Sequence, residues 1–238
     1  MNQPIRLRVR FKKSGPLCYI GHLDVMRFFQ KAIRRAGMDV VYTKGFSPHQ
    51  VMAFAAPLGV GLESNGEYMD IEVNSITSCR DAAESLNRAG VPGIEVVSVK
   101  ILPPEAGNTM ASVAAAAYRV GFREGMAPKL DLAGAVPGFL AQDRILITKE
   151  TKKGSREVDL RPGIFCLEYA ENALWMLVDA SSGGNIKPLQ VVEALLAGSG
   201  EVLKDNALWV IREDMYARTP GTEGREGLVS LDEIGHVC

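Results

Sequence analysis

Ile5, Leu7, Val9 and Phe11 alternate with Arg6, Arg8, Arg10 and Lys12. A period of two sends the first set to one face of a β-strand and the second to the other, so the chain must begin a sheet that is apolar on one side and basic on the other. Ser14-Gly-Pro ends the run. Leu23, Met26, Phe29, Ile33 and Ala36 then recur at helical spacing, with Arg27, Lys31, Arg34 and Arg35 on the opposite side. Gly37 suits a C-terminal cap, and Arg34 and Arg35 suit the negative end of the helix dipole. From Arg6 to His49 the only acids are Asp24 and Asp39, whereas the whole chain carries 27 Lys and Arg against 28 Asp and Glu. That balance excludes a uniformly basic nucleic-acid binder. Any contact with a polyanion must come from a local patch.

The rest of the chain repeats a mixed grammar. Strands are expected at 39–43, 67–73 and 94–102, and a second amphipathic helix at 80–89; an extra extended piece at 51–56 has no place in that order. The succession β-α-β-β-α-β is that of a ferredoxin-like split βαβ unit. Pro103-Pro-Glu-Ala-Gly-Asn reads as a linker. Beyond it Tyr118, Val120 and Phe122 alternate with Arg119 and Arg123. A helix at 130–141, strands at 144–151, 156–160, 164–169 and 174–179, a helix at 187–196 and a strand at 208–216 follow. The expected fold class is α+β: two tandem ferredoxin-like units with mainly antiparallel sheets and helices on one face. The units span 1–103 and 115–217, separated by a linker at 104–114 and followed by a polar, mobile tail at 218–238.

Cys18, Cys79, Cys166 and Cys238 are widely spaced and form no CxxC pair. They read as separate thiols, not as a disulfide framework or a metal site. The chain opens on a charged strand without an apolar leader, and no run is long enough to span a bilayer, so a cytoplasmic protein without membrane contact is expected. Gly59 and Gly61 do not belong to a phosphate-binding glycine motif. In a split βαβ unit the first two strands end at one sheet edge, where the first helix begins. This would gather Lys12, Lys13, His22, Lys44, Phe46 and His49 beside the free N–H groups of that helix, an arrangement suited to phosphate or RNA. Arg8, Arg10, Lys12, Lys13, Arg27, Lys31, Arg34, Arg35, Lys44 and Phe46 are the candidate nucleic-acid-binding residues. His22, His49 and Asp24 are candidates for acid–base catalysis. Each has a structural alternative: the arginines of the first strand could pair with Asp70 and Glu72 across the sheet, the helix cations could form a solvated face, and His22 and Asp24 could pack and cap. The charged stretch 149–161 reads as a solvated turn or a second RNA contact.

Arg8-Val-Arg-Phe-Lys-Lys-Ser-Gly, Gly21-His-Leu-Asp-Val-Met-Arg, Ala32-Ile-Arg-Arg-Ala-Gly, Gly45-Phe-Ser-Pro-His, Pro57-Leu-Gly-Val-Gly-Leu-Glu-Ser and Arg156-Glu-Val-Asp-Leu-Arg-Pro together resemble the bacterial radical SAM-linked (radical SAM-associated) proteins. The likeness covers nearly the whole chain. It implies a gene context of RNA metabolism and a radical SAM protein as partner. The chain has no CxxxCxxC run, so an iron–sulfur cluster and S-adenosylmethionine would be held by that partner, with no cofactor on this chain. The expected function is a non-catalytic RNA-binding or substrate-presenting accessory in tRNA or rRNA modification or processing, without a role on DNA. One alternative is a metal-independent ribonuclease or RNA-modifying enzyme using His22 and His49. The other is a module that only docks the radical SAM partner through its basic face.

Overall fold

A computed structural model describes residues 3–151 and 154–238. Among these residues the protein is mixed α/β, with five helices and a mostly antiparallel nine-stranded sheet. The first half contributes β1 (Ile5–Lys13), α1 (His22–Arg35), β2 (Met52–Phe54), β3 (Glu63–Val73), α2 (Cys79–Arg88) and β4 (Ile94–Ile101). A short turn of helix, α3 (Thr109–Ser112), lies within the expected linker. The second half contributes β5 (Val113–Phe122), α4 (Leu132–Leu140), β6 (Leu146–Thr151), β7 (Gly154–Asp159), β8 (Ile164–Ala170), β9 (Ala173–Asp179), α5 (Pro188–Ala197), β10 (Leu208–Arg218) and β11 (Leu228–Ser230). Lys152 and Lys153, in the charged 149–161 stretch, lie outside the described residues.

The strand order is β4-β1-β3-β10-β5-β9-β8, with β2 on β3 and β11 on β10; β6 and β7 form a separate hairpin ladder. The two halves therefore share one sheet instead of each closing its own. The parallel pairing of Ile211 with Glu63 and Arg212 with Ser64 joins them. Alternation delivers the faces as expected. Leu7, Val9, Phe11, Met69, Ile71 and Val73 pack under Val25, Phe29 and Ile33 of α1, while a second core gathers Val120, Leu174, Met176 and Val178 under α4 and α5.

Two further expectations change. The segment 39–43 is not a strand: Val40 bridges Val73 and Tyr42 bridges Gln50, and the regular pairing on β3 is made by 52–54. Val40 and then Met52 and Phe54 follow one another along β3, opposite Val73, Ile71 and Met69. The intervening residues 43–49 are looped out, and the neck is closed by Thr43 N–H to His49 O (2.8 Å) and Val51 N–H to Val41 O (2.8 Å). The extra extended piece is thus the continuation of an interrupted edge strand. The segment 218–238 is also no free tail. β11 pairs with the end of β10, Leu231 is fully buried, and His236 pairs with Ile101 in both directions. Leu231 and Ile234 supply the apolar contacts that a purely polar reading of the segment overlooks.

Gly66 makes the junction possible. Opposite β1 the register slips, so that Phe11 faces Glu67 but Lys13 faces Ser64, a bulge that pushes Gly66 against β10. A Cβ there would lie 2.7 Å from Glu213 O and 2.9 Å from the Asp214 Cα, both backbone atoms of the neighbouring strand. Gly66→Ala is expected to cost about 1–3 kcal/mol by forcing β3 and β10 apart, read as a lower midpoint in urea unfolding. An unchanged midpoint would show that the junction yields freely.

Candidate nucleic-acid interface

The basic face of β1 is consumed by the fold. Arg8 is 2% exposed, and its Nε donates to Asp70 Oδ1 at 2.9 Å and its Nη2 to Asp70 Oδ2 at 3.1 Å. A third N–H donates to Leu231 O. Thr109 also donates to Asp70, and Arg6 binds Asp70 and the carbonyls of Ala106 and Gly107. Arg10 lies between Asp214 (3.9 Å) and Asp232 (3.7 Å), and Lys12 pairs with Glu95 (3.6 Å). The cross-strand pairing with Asp70 is thus present, and residues from 106–112 and 228–236 cover much of the same face. Arg8 and Arg10 are held by carboxylates and offer little to a polyanion.

Lys13 lies on the other face. It continues the odd-numbered parity of Leu7, Val9 and Phe11, is 2% exposed, and donates to Ile20 O at 3.2 Å. Glu67, opposite Phe11, shares that parity and ion-pairs with Arg212 of β10 at 3.0 Å. The Arg212 guanidinium lies over the Tyr118 ring, 5.7 Å from its centroid. Burial pushes the Glu67 carboxyl up against the pull of Arg212, Ser64 and Lys13. Burial also pushes the Lys13 ammonium down, opposed by Glu67. Arg212 resists the same burial because Glu67 and Tyr118 favour its charge. Lys13, His22 and Glu67, with Phe11, Val25, Phe54 and Leu58, enclose a cavity of ≈ 10 Å³. That is room for about one water molecule and not for a nucleotide. A cation and an anion on the apolar parity of two adjacent strands were the sequence signal for this cluster, which the reading of the motifs passed over.

The two candidate imidazoles rest on different partners. His22 packs edge-on against Phe54, with ring centroids 5.0 Å apart. His49 closes the neck of the 43–49 loop, its Nδ1 3.1 Å from Thr43 Oγ1. The expected sheet-edge cluster is divided by its contacts: Lys13 and His22 line one cavity with Glu67, while Lys44, Phe46 and His49 belong to the 43–49 loop. Asp24 is exposed in the first turn of α1 and pairs with Arg27 at 3.2 Å. Burial holds the His22 ring below its ordinary pKa of 6.5. The folded state therefore favours the neutral ring, and this contribution to stability is complete above pH 6.5 and lost as pH falls through the lowered value. Thermal midpoints between pH 8 and pH 5 are expected to fall less in His22→Gln than in the parent chain; equal falls would remove His22 from the acid response.

An open surface remains. Gln50 Nε2 reaches from the loop neck to Gln30 O of α1 (3.2 Å), and Arg34 Nε donates to the same oxygen (3.3 Å). This ties the loop to the polar side of the helix. Lys31, Arg34 and Lys44 are exposed, and among the described residues none of them has a carboxylate within ion-pair distance. Phe46 is fully exposed, at 111% of its reference area. Arg35 turns away, donating to Ala89 O beside α2. Among the described residues no trio of His, Cys, Asp or Glu is grouped to hold a metal ion, and no helix is long and apolar enough to cross a membrane.

A sequence model of the family described as an uncharacterized protein conserved in bacteria, DUF2344, matches residues 6–188. The chain belongs to this family. The DUF2344 match takes in β1, α1, the loop and the hairpin, and it stops at the first residue of α5. Arg212, Asp214 and Asp232, the second-half partners of Glu67 and Arg10, lie beyond it. No curated protein matches the chain.

Proposed function

We propose that this DUF2344 protein is a non-catalytic RNA-binding module, with Arg27, Lys31, Arg34 and Lys44 as phosphate contacts and Phe46 as a base-stacking side chain. The observation that carries the reading is a solvent-exposed phenylalanine on a neck-closed loop tied to a basic helix face. An aromatic ring costs free energy to leave in water, and beside cations it suits an unstacked base. Arg8, Arg10 and Lys13 leave the contact set because they are buried or held between carboxylates, and Lys12 leaves because it pairs with Glu95 on the side of β1 away from α1; Arg27 stays because its pair with Asp24 is solvent-exposed on the α1 face itself.

Two finer readings belong with it. The resemblance to radical SAM-linked proteins supports a radical SAM enzyme as partner, supplying the iron–sulfur cluster and S-adenosylmethionine while this chain presents tRNA or rRNA. The orders β4-β1-β3-β2 and β10-β5-β9-β8 support two ferredoxin-like units, the second with the β6–β7 hairpin inserted and both fused through β3 and β10. A fluorescence titration against structured RNA tests the function. Four phosphate contacts imply an affinity loss of roughly 50- to 150-fold between 50 and 200 mM salt. Absence of binding at low salt would end the RNA reading.

A further inference from the structure

Away from the basic surface, two thiols far apart in the sequence come together. Cys79 and Cys238 meet with their sulfurs 2.9 Å apart. Each sulfur also faces the other residue's backbone: Cys79 N–H lies 3.2 Å from Cys238 Sγ, and Cys238 N–H lies 3.3 Å from Cys79 Sγ. Cys79 is the first residue of α2 and is buried, whereas Cys238 is exposed. Cys238 ends the segment that crosses the basic strand, where Leu231 O accepts from Arg8, Asp232 holds Arg10 and Lys100, and His236 pairs with Ile101.

We propose that Cys79 and Cys238 are a reversible oxidation site, whose disulfide fastens the 228–238 segment to α2. A peroxide would react at the exposed sulfur first. Cys238 thiolate attacks one peroxide oxygen, the O–O bond breaks, and a sulfenic acid forms with release of water once the leaving oxygen is protonated. Cys79, deprotonated, then attacks the Cys238 sulfur; the S–S bond forms and hydroxide leaves, taking a proton to become the second water. Two thiols lose two electrons and the peroxide gains them. Burial and the contact with Cys238 push the Cys79 thiol up, so it suits the resolving role better than that of the first nucleophile. Cys18 is buried elsewhere, and Cys166 lies beside Arg225. Neither competes for this pairing. The site is independent of the RNA reading.

The test is treatment of the folded full chain with a small excess of hydrogen peroxide, followed by non-reducing peptide mass mapping and thermal unfolding. The expected product is a cross-link between the Cys79 and Cys238 peptides, lighter by two hydrogens and reversed by dithiothreitol. The oxidised protein should unfold about 5–10 °C higher, because the bond closes a long loop in the unfolded chain. It should also resist limited proteolysis within 219–227. Cys238→Ser should abolish the cross-link and the shift without changing the reduced protein's midpoint. Recovery of Cys238 as sulfinic acid, or cross-links to Cys18 or Cys166 in its place, would overturn the proposal.

Discussion

Asp70→Ala should lower the thermal midpoint by about 10 °C, the largest single effect expected in this protein. The carboxylate accepts from Arg8 through both oxygens, from Thr109 and from Arg6, and it is itself nearly buried. Its removal leaves a guanidinium that is 2% exposed without its counter-charge. Stranding a buried charge costs about 3–5 kcal/mol, far more than the intact pair contributes relative to an apolar substitute. For a chain of this size each kcal/mol moves the midpoint by about 2–4 °C. The double variant Arg8→Met, Asp70→Leu removes both charges and should recover most of the loss. If the single variant loses less than about 1 kcal/mol, the pair is solvated in solution and the basic strand is more accessible than its contacts indicate.

Lys31→Glu with Arg34→Glu should weaken binding to structured RNA by about 100-fold at 50 mM salt, and Phe46→Ala alone by about 10-fold or more. The reversals replace two of four proposed phosphate contacts with repulsion, while both positions are exposed on α1. An acid at position 34, in the last turn of α1, opposes the helix dipole and costs about 1 kcal/mol at most, so the fold persists and the midpoint is the control. The salt dependence of the remaining affinity should become shallower. Wild-type affinity in a variant carrying Lys31→Glu, Arg34→Glu and Phe46→Ala together would show that RNA does not use this surface. If the variants keep RNA but lose a radical SAM partner in RNA-free pull-downs, the same residues serve protein docking, and electrostatic steering of that partner is the better account.

The two experiments concern the two fates of one basic stretch. Arg8, Arg10 and Lys12 looked equivalent to Arg27, Lys31 and Arg34 as a string of cations. The difference lay in acids placed far along the chain. Asp70 could be foreseen as a cross-strand partner because it sits on a strand with matching alternation. Asp214 and Asp232 could not, since their approach to Arg10 depends on β10 joining β3 and on β11 folding back along β10. The expected gathering of Lys44, Phe46 and His49 at the sheet edge assumed an uninterrupted second strand, whereas Thr43 and His49 close the neck of a loop that carries Lys44 and Phe46.

What periodicity alone determined was local: a strand from Ile5 to Phe11, the apolar stripe of α1 along Phe29 and Ile33, the alternation of β3, and the two-faced character of the sheet. These follow from backbone geometry repeating every two or 3.6 residues, which neighbouring side chains encode directly. Tertiary structure decided which charges remain open to solvent, that Lys13, Glu67 and Arg212 meet inside, and that Cys79 touches Cys238. Those outcomes depend on contacts between residues widely separated in sequence, and no period in the chain records which distant carboxylate or thiol will arrive.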